Sequence, residues 1–165
     1  MKFVLVRHAQ KDFQPIEDPV LNDKGFLQAE KLCDLVKKNN LPLPTELWCS
    51  DRIRTRQTLE KMAQEFNLKF QQRPELNLRD HFESGIDFRI RLQKLVSDIS
   101  SGSRNSSIIF ACTHFDVIEE LMTLIPSDTD LTSSKFSHWA PTQFMVFEIV
   151  DGLWQVTKAG AANEV

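Results

Sequence analysis

The chain has 165 residues, 41% apolar and 26% charged, which bounds it to a single globular domain over 1–165. Its formal net charge of −3, with both signs interspersed, excludes a general nucleic-acid binder, which needs a basic surface. No apolar run approaches the roughly 20 residues of a membrane span, the first one breaks at Arg7-His8, too early for a secretory leader, and Cys33, Cys49 and Cys112 have no disulfide-like spacing, so a reducing, cytoplasmic location is expected.

Met1 to Val6 is a short, partly β-branched apolar run that predicts a buried strand. Asp12 to Asn22, with Pro15 and Pro19, predicts a loop. A helix follows, with Asn22 as N-cap and Phe26, Ala29, Leu32, Cys33 and Val36 on its apolar face; Asn39-Asn40, Pro42 and Pro44 end it. Leu47-Trp48-Cys49 predicts a second strand, and Ser50 opens a helix whose stripe is Leu59, Met62, Ala63 and Phe66. Leu68 to Phe70 suggests a third strand, and Gln71 to Gly85 a charged loop. Phe88, Leu92, Leu95, Val96 and Ile99 mark another amphipathic helix, followed by a Ser/Gly-rich turn over 100–107. Ser107 to Cys112 is the clearest strand, Asp116 to Ile125 a helix closed by Pro126, and Ser127 to Ser137 a loop. Gln143 to Val150 and Leu153 to Thr157, joined at Asp151-Gly152, predict a hairpin. Strands alternating with helices predict an α/β fold, a three-layer α/β/α sandwich with a mostly parallel central sheet finished by an antiparallel hairpin.

In such sheets ligands sit outside the carboxyl ends of the strands. Three of these ends carry unusual residues: Arg7-His8 after the first strand; Ser50, Arg52, Arg54 and Arg56 after the second; Thr113-His114 after the Ile108 strand. Guanidinium and imidazole groups from distant positions would converge on one rim, where helix N-termini add free N–H groups. That combination suits a dianionic phosphate. Cys-x5-Arg, GxxxxGK[ST], GxGxxG, CxxC and HExxH are all absent, which removes cysteine phosphatases, P-loop and dinucleotide sites, and the common zinc motifs. His81 and His138 have no ligand partners in the pattern, so no metal or cofactor is expected. Trp48, Trp139 and Trp154 read as core or rim.

Val6-Arg7-His8-Ala9-Gln10 resembles the Arg-His-Gly signature of the histidine phosphatase superfamily, with its phosphoglycerate mutase-like fold. Leu21 to Ala29 is similar to that family's Leu-Thr-x-x-Gly-x-x-Gln-Ala segment, Cys49 to Thr58 to its Ser-x-x-x-Arg-x-x-Gln-Thr segment, and Thr113-His114 to the Ser-His carrying its second histidine. The resemblance implies a metal-independent phosphatase. His8 would be the nucleophile that takes the phosphoryl group, Arg7 and Arg54 the phosphate clamps, and His114 a donor to the phosphate oxygens. Gln10 and Ser50 are further candidates for binding phosphate.

A poor leaving group needs a general acid. Asp80, in Leu78-Arg79-Asp80, is the first candidate and Glu83 the second. Asp116 with Glu119 reads as a capping box instead. Ala9 and Asn22 stand where the family has Gly and Thr. The short spacing between the third strand and the next helix points to the branch typified by protein phosphohistidine phosphatase (SixA-like), so the expected partner is a phosphorylated substrate, with a phosphohistidine protein as the leading candidate. A small-molecule phosphate ester phosphatase and a non-catalytic phosphoprotein-binding module are the alternatives.

Overall fold

A computed structural model describes residues 1–101 and 106–162, so residues 102–105 of the expected turn lie outside the described residues. One six-stranded sheet runs through it, built from β1 (Lys2–Arg7), β2 (Glu46–Cys49), β3 (Phe70–Gln72), β4 (Ile108–Thr113), β5 (Gln143–Val150) and β6 (Leu153–Ala161) in the order β3-β2-β4-β1-β5-β6. The first four pair in parallel; β5 runs antiparallel to β1 and forms a hairpin with β6. The helices are α1 (Asp23–Lys37), α2 (Ile53–Glu65), α3 (Gly85–Ser100) and α4 (Phe115–Leu124). No helix among the described residues is long and apolar enough to cross a membrane.

The strands explain the layering, because successive side chains point to opposite faces. Phe3 and Leu5 of β1 join Ile109, Ala111, Phe147 and the inner faces of α3 and α4. Val4 and Val6 join Phe110, Cys112, Val146 and the inner faces of α1 and α2. Both faces of β1 and β4 are therefore buried, as continuous apolar runs require. All three tryptophans are in the first of these cores, 1% exposed each.

The register positions the chemistry. Arg7 pairs with Thr113 and Cys49 with Cys112, so the carboxyl ends of β2, β4 and β1 lie side by side. Arg7-His8, Ser50 and His114 all leave the sheet along this one edge.

Several local expectations are corrected. Asn22 caps α1 as expected, accepting from Gly25 N, but Phe26 is 45% exposed; the buried face runs through Gly25, Gln28, Ala29, Leu32, Cys33, Leu35 and Val36. Ala29, Leu32, Cys33 and Val36 are buried as expected, so only Phe26 departs from the stripe; in the first turn the inner position is taken by Gly25, which lies against the backbone of Gln10. The third strand starts at Phe70, where the sequence pattern ends it, and a 3₁₀ turn at Pro74–Leu76 interrupts the loop that follows. The last strand extends to Ala161 because β5 is long enough to pair with all of it. The cap of α2 is Arg52, not Ser50. The cap of α4 is His114, which puts Asp116 inside the first turn; its carboxylate accepts from Arg79 N at 3.1 Å, so Asp116 and Glu119 form no capping box.

Gly25 gives a test of sign. In the first turn of a helix, Gly→Ala normally stabilises by about 0.5–1 kcal/mol. Here a Cβ would meet Gln10 O at 2.0 Å, a backbone atom that cannot swing aside. Overpacking of this kind costs about 1–3 kcal/mol, so Gly25→Ala should lower the Tm by several degrees. A Tm that rises, or stays put, would show that the chain at Gln10 yields freely.

Candidate active site

Arg7 is the last residue of β1, and His8 follows in the turn, its N–H donating to Thr113 O at 3.0 Å. His8 Nδ1 lies 2.7 Å from Ala9 O. A carbonyl only accepts, so Nδ1 carries the proton and Nε2 is left with its lone pair. Ala9 is itself fixed, its N–H donating to Thr58 Oγ1 at 2.9 Å, while Thr58 donates to Arg54 O at 2.7 Å. Burial holds the His8 imidazole at a pKa of about 4, assisted by the Arg54 and Arg7 guanidiniums and opposed by the bond to Ala9 O. His8 is thus neutral across the physiological range.

His114 faces it, the two ring centroids 5.3 Å apart. Arg54 Nη2 donates to His114 Nδ1 at 3.4 Å, and a guanidinium cannot accept, so Nδ1 is bare and Nε2 carries the proton. That proton goes to Ser50 Oγ at 2.8 Å. Ser50 passes a hydrogen to Thr55 Oγ1 at 3.1 Å, which donates to Arg52 O at 2.8 Å. One consistent set of donors therefore runs from Arg54 to the start of α2. Burial, then the charge of Arg54, lowers His114 to about 2.

The two arginines complete a cup. Arg54 is 5% exposed, with Asp18 Oδ1 3.4 Å from its Nη1. Arg7 Nη1 donates to Trp139 O, and its Cζ lies 5.2 Å from the Phe115 ring centroid. Thr142 N–H donates to Arg7 O at 3.1 Å from a φ of 60°, a conformation disfavoured for a β-branched residue. The Nε atoms of both arginines are buried and have no hydrogen-bond acceptor among the described residues. Burial lowers the pKa of each guanidinium.

The other candidates are placed as follows. Ser50 is 3% exposed and turned to His114 and Thr55. Gln10 N–H donates to Gln28 Oε1 at 2.8 Å and its carbonyl accepts from Asn22 N, so its backbone is committed to α1. Asp80 is exposed, its Oδ1 accepting from Phe82 N at 2.8 Å. It lines a cavity of about 590 Å³ with Asp51, Arg52, Asn77 and Arg79, and none of Arg7, His8, Arg54 or His114 lines it. Glu83 is forked to Arg91 at 2.8 and 2.7 Å, and that bond keeps its carboxyl below the usual range. Glu83 is therefore held ionised. His81 and His138 are exposed on loops. No group of three or more His, Cys, Asp or Glu among the described residues could hold a metal ion.

Sequence reasoning passed over Asp18, Thr58, Phe115, Trp139 and Thr142, which surround the cup. Trp139 contributes a carbonyl, which no side-chain pattern reports. Thr58 was visible only as part of a Gln-Thr pair.

Residues 3–81, just under half of the chain, match the family described as Histidine phosphatase superfamily (branch 1). That stretch includes Arg7, His8 and Arg54 and stops short of His114. Phosphoglycerate mutase 2 of Saccharomyces cerevisiae is 38% identical over 79 residues, 42% of this chain and 25% of that protein. The chain thus spans about a quarter of the length of the curated relative it matches. Among solved structures, the protein histidine phosphatase SixA complexed with tungstate superposes with a TM-score of 0.77 over 99% of both chains, at 12% identity. A candidate alpha-ribazole-5′-P phosphatase from Escherichia coli gives 0.79 over 98% of both, at 15% identity. A candidate phosphohistidine phosphatase SixA from Agrobacterium tumefaciens gives 0.71 over 97% of both, at 18% identity. These likenesses establish the phosphoglycerate mutase-like fold over the whole described chain, including β4 and the His114 turn that the family match does not reach.

Proposed function

On a chain that carries the histidine phosphatase superfamily's sequence over residues 3–81 and its fold beyond them, we propose that this protein is a phosphatase working through a phosphohistidine at His8. The observation that carries this reading is the pair of buried Nε–H donors on Arg7 and Arg54 that have no partner among the described residues, beside a neutral imidazole whose protonated Nδ1 leaves Nε2 its lone pair. A buried donor without an acceptor is rare in proteins, and an anion at this place would satisfy both.

In the first step His8 Nε2 attacks phosphorus. A P–N bond forms and the bond to the leaving group breaks, its electron pair departing with the leaving group. The positive charge on the imidazole is shared through Nδ1–H with Ala9 O. Water then attacks phosphorus, the P–N pair returns to Nε2, and orthophosphate leaves. The guanidiniums of Arg7 and Arg54 hold the equatorial oxygens throughout. His114, bare at Nδ1 in this state, becomes a donor only by taking up a proton there, which the charge of bound phosphate favours.

The substrate class follows from the acids. Glu83 is held ionised by Arg91, and Asp80 lies in a cavity that none of the four cup residues lines. A leaving group that needs little protonation from the enzyme suits this arrangement, as in a phosphoramidate such as protein phosphohistidine. Asp80 serves poorer leaving groups, those of alkyl and sugar esters. The test is a rate comparison on a phosphohistidine peptide, an aryl phosphate and a sugar phosphate, with wild type and Asp80→Asn. The peptide should be the best substrate, and Asp80→Asn should change its rate by less than about threefold while slowing the sugar phosphate tenfold or more. A sugar phosphate hydrolysed faster than the peptide would overturn the substrate class. A uniform effect of Asp80→Asn, or none, would remove Asp80 as a proton donor.

A further inference from the structure

The loop before α1 makes three contacts with the start of α2, and none of them is local. Asp18 Oδ2 and Oδ1 accept from Ile53 N at 3.0 and 3.3 Å. Asp18 Oδ1 lies 3.4 Å from Arg54 Nη1, and the preceding Glu17 O accepts from Arg52 Nη1 at 3.1 Å. The cap residue Arg52 offers no side-chain acceptor, so the carboxylate does the work of an N-cap from 35 residues away. The same carboxylate takes one end of the Arg54 guanidinium. A guanidinium is planar and rotates as a unit, so fixing Nη1 fixes the direction of the opposite edge. That edge is Nε, buried and without an acceptor among the described residues, and Nη2, which donates to His114 Nδ1. It is the side-on fork that grips two oxygens of a phosphate.

We propose that Asp18 is a positioning residue, which holds Arg54 by Nη1 so that its Nε–Nη2 fork faces the space between His8 and His114. This inference rests on the phosphate-cup reading and adds to it the residue that aims the clamp. Without the pair, Arg54 is free to turn its fork away, and phosphate loses a bidentate contact for a single one.

Capping and positioning are separable because Ile53 is the first helical residue. Proline is tolerated there, and Arg52 at ψ 132° already has the extended backbone that a following proline demands. Ile53→Pro thus deletes the N–H that Asp18 caps and leaves the pair with Arg54. Asp18→Asn does the converse, since an amide oxygen still accepts from Ile53 N but the charge opposite Arg54 is gone. The measurement is the affinity for orthophosphate by titration calorimetry, which needs no turnover, with the Tm of each variant recorded alongside. Asp18→Asn should weaken orthophosphate about tenfold with a Tm near that of wild type, and Ile53→Pro should leave the affinity within twofold. In an Arg54→Ala background, Asp18→Asn should have no further effect. Unchanged or tighter binding by Asp18→Asn would overturn the proposal, as would an equal loss in both backgrounds or a loss reproduced by Ile53→Pro. A wild type with no affinity for orthophosphate would instead remove the phosphate cup, a result distinct from any of these.

Discussion

His8→Ala should lose at least about ten-thousand-fold of the wild-type rate on an aryl phosphate, while still binding orthophosphate. The size of the loss follows from the role: without Nε2 there is no covalent intermediate, and what remains is positioning by the guanidiniums and His114. The retained binding follows from the geometry. His8 contributes no hydrogen bond to Arg7 or Arg54; its ring is tied to Ala9 O, and the arginines are held by Trp139 and Asp18. Removing the ring should therefore leave the cup standing and slightly wider. Rapid quench of wild type with a labelled substrate should trap a protein-bound phosphate that is acid-labile and base-stable, as a phosphoramidate is, and His8→Ala should trap none. A variant within tenfold of wild type, or one carrying the same label, would place the nucleophile elsewhere.

The fold was largely legible because its signals are short and strong. β1 and β4 are uninterrupted apolar runs, and both are buried on two faces. The polar residues that end those runs, Arg7-His8 and Thr113-His114, stand at the carboxyl edge because a parallel strand must hand over to a helix there. The misses have a common cause: each depends on a partner distant in sequence. Spacing alone puts Phe26 on the core face, but in the first turn of α1 it is Gly25 that packs inward, against the backbone of Gln10. Ser50 looks like a helix cap, yet its hydroxyl is taken by His114, 64 residues on. Asp18 looks like one more charge in a polar loop, and only the fold puts its carboxylate on Ile53 and Arg54. Asp116 looks like a local cap, but its carboxylate accepts from Arg79 N in another loop.

Arg54→Ala should show two linked effects, and their combination separates a clamp from a merely structural arginine. The first is a drop in kcat/KM of about 10²–10³-fold, the cost of removing a charged donor aimed at developing phosphate charge. The second concerns pH. Burial is the main reason His8 sits near 4, but the Arg54 charge also presses it down, and taking away the side chain admits water and removes that charge. Both changes favour the imidazolium, so the His8 pKa should rise towards its ordinary value of about 6.5. Attack needs the neutral ring, so activity is lost as pH falls through this pKa. In wild type the loss due to His8 is confined to the region near pH 4; in Arg54→Ala it should begin one to two units higher. The substrate's own titration affects both proteins alike and cancels in the ratio of variant to wild type, which should fall between about pH 7 and 5. Arg54→Lys should split the two effects. A lysine keeps the charge near His8 and so most of the pH profile, but it cannot offer the side-on fork, so the rate loss persists. A ratio that is flat with pH would mean that Arg54 does not act on His8, and a lysine variant with the wild-type rate would mean that charge alone, without the fork, holds the phosphate.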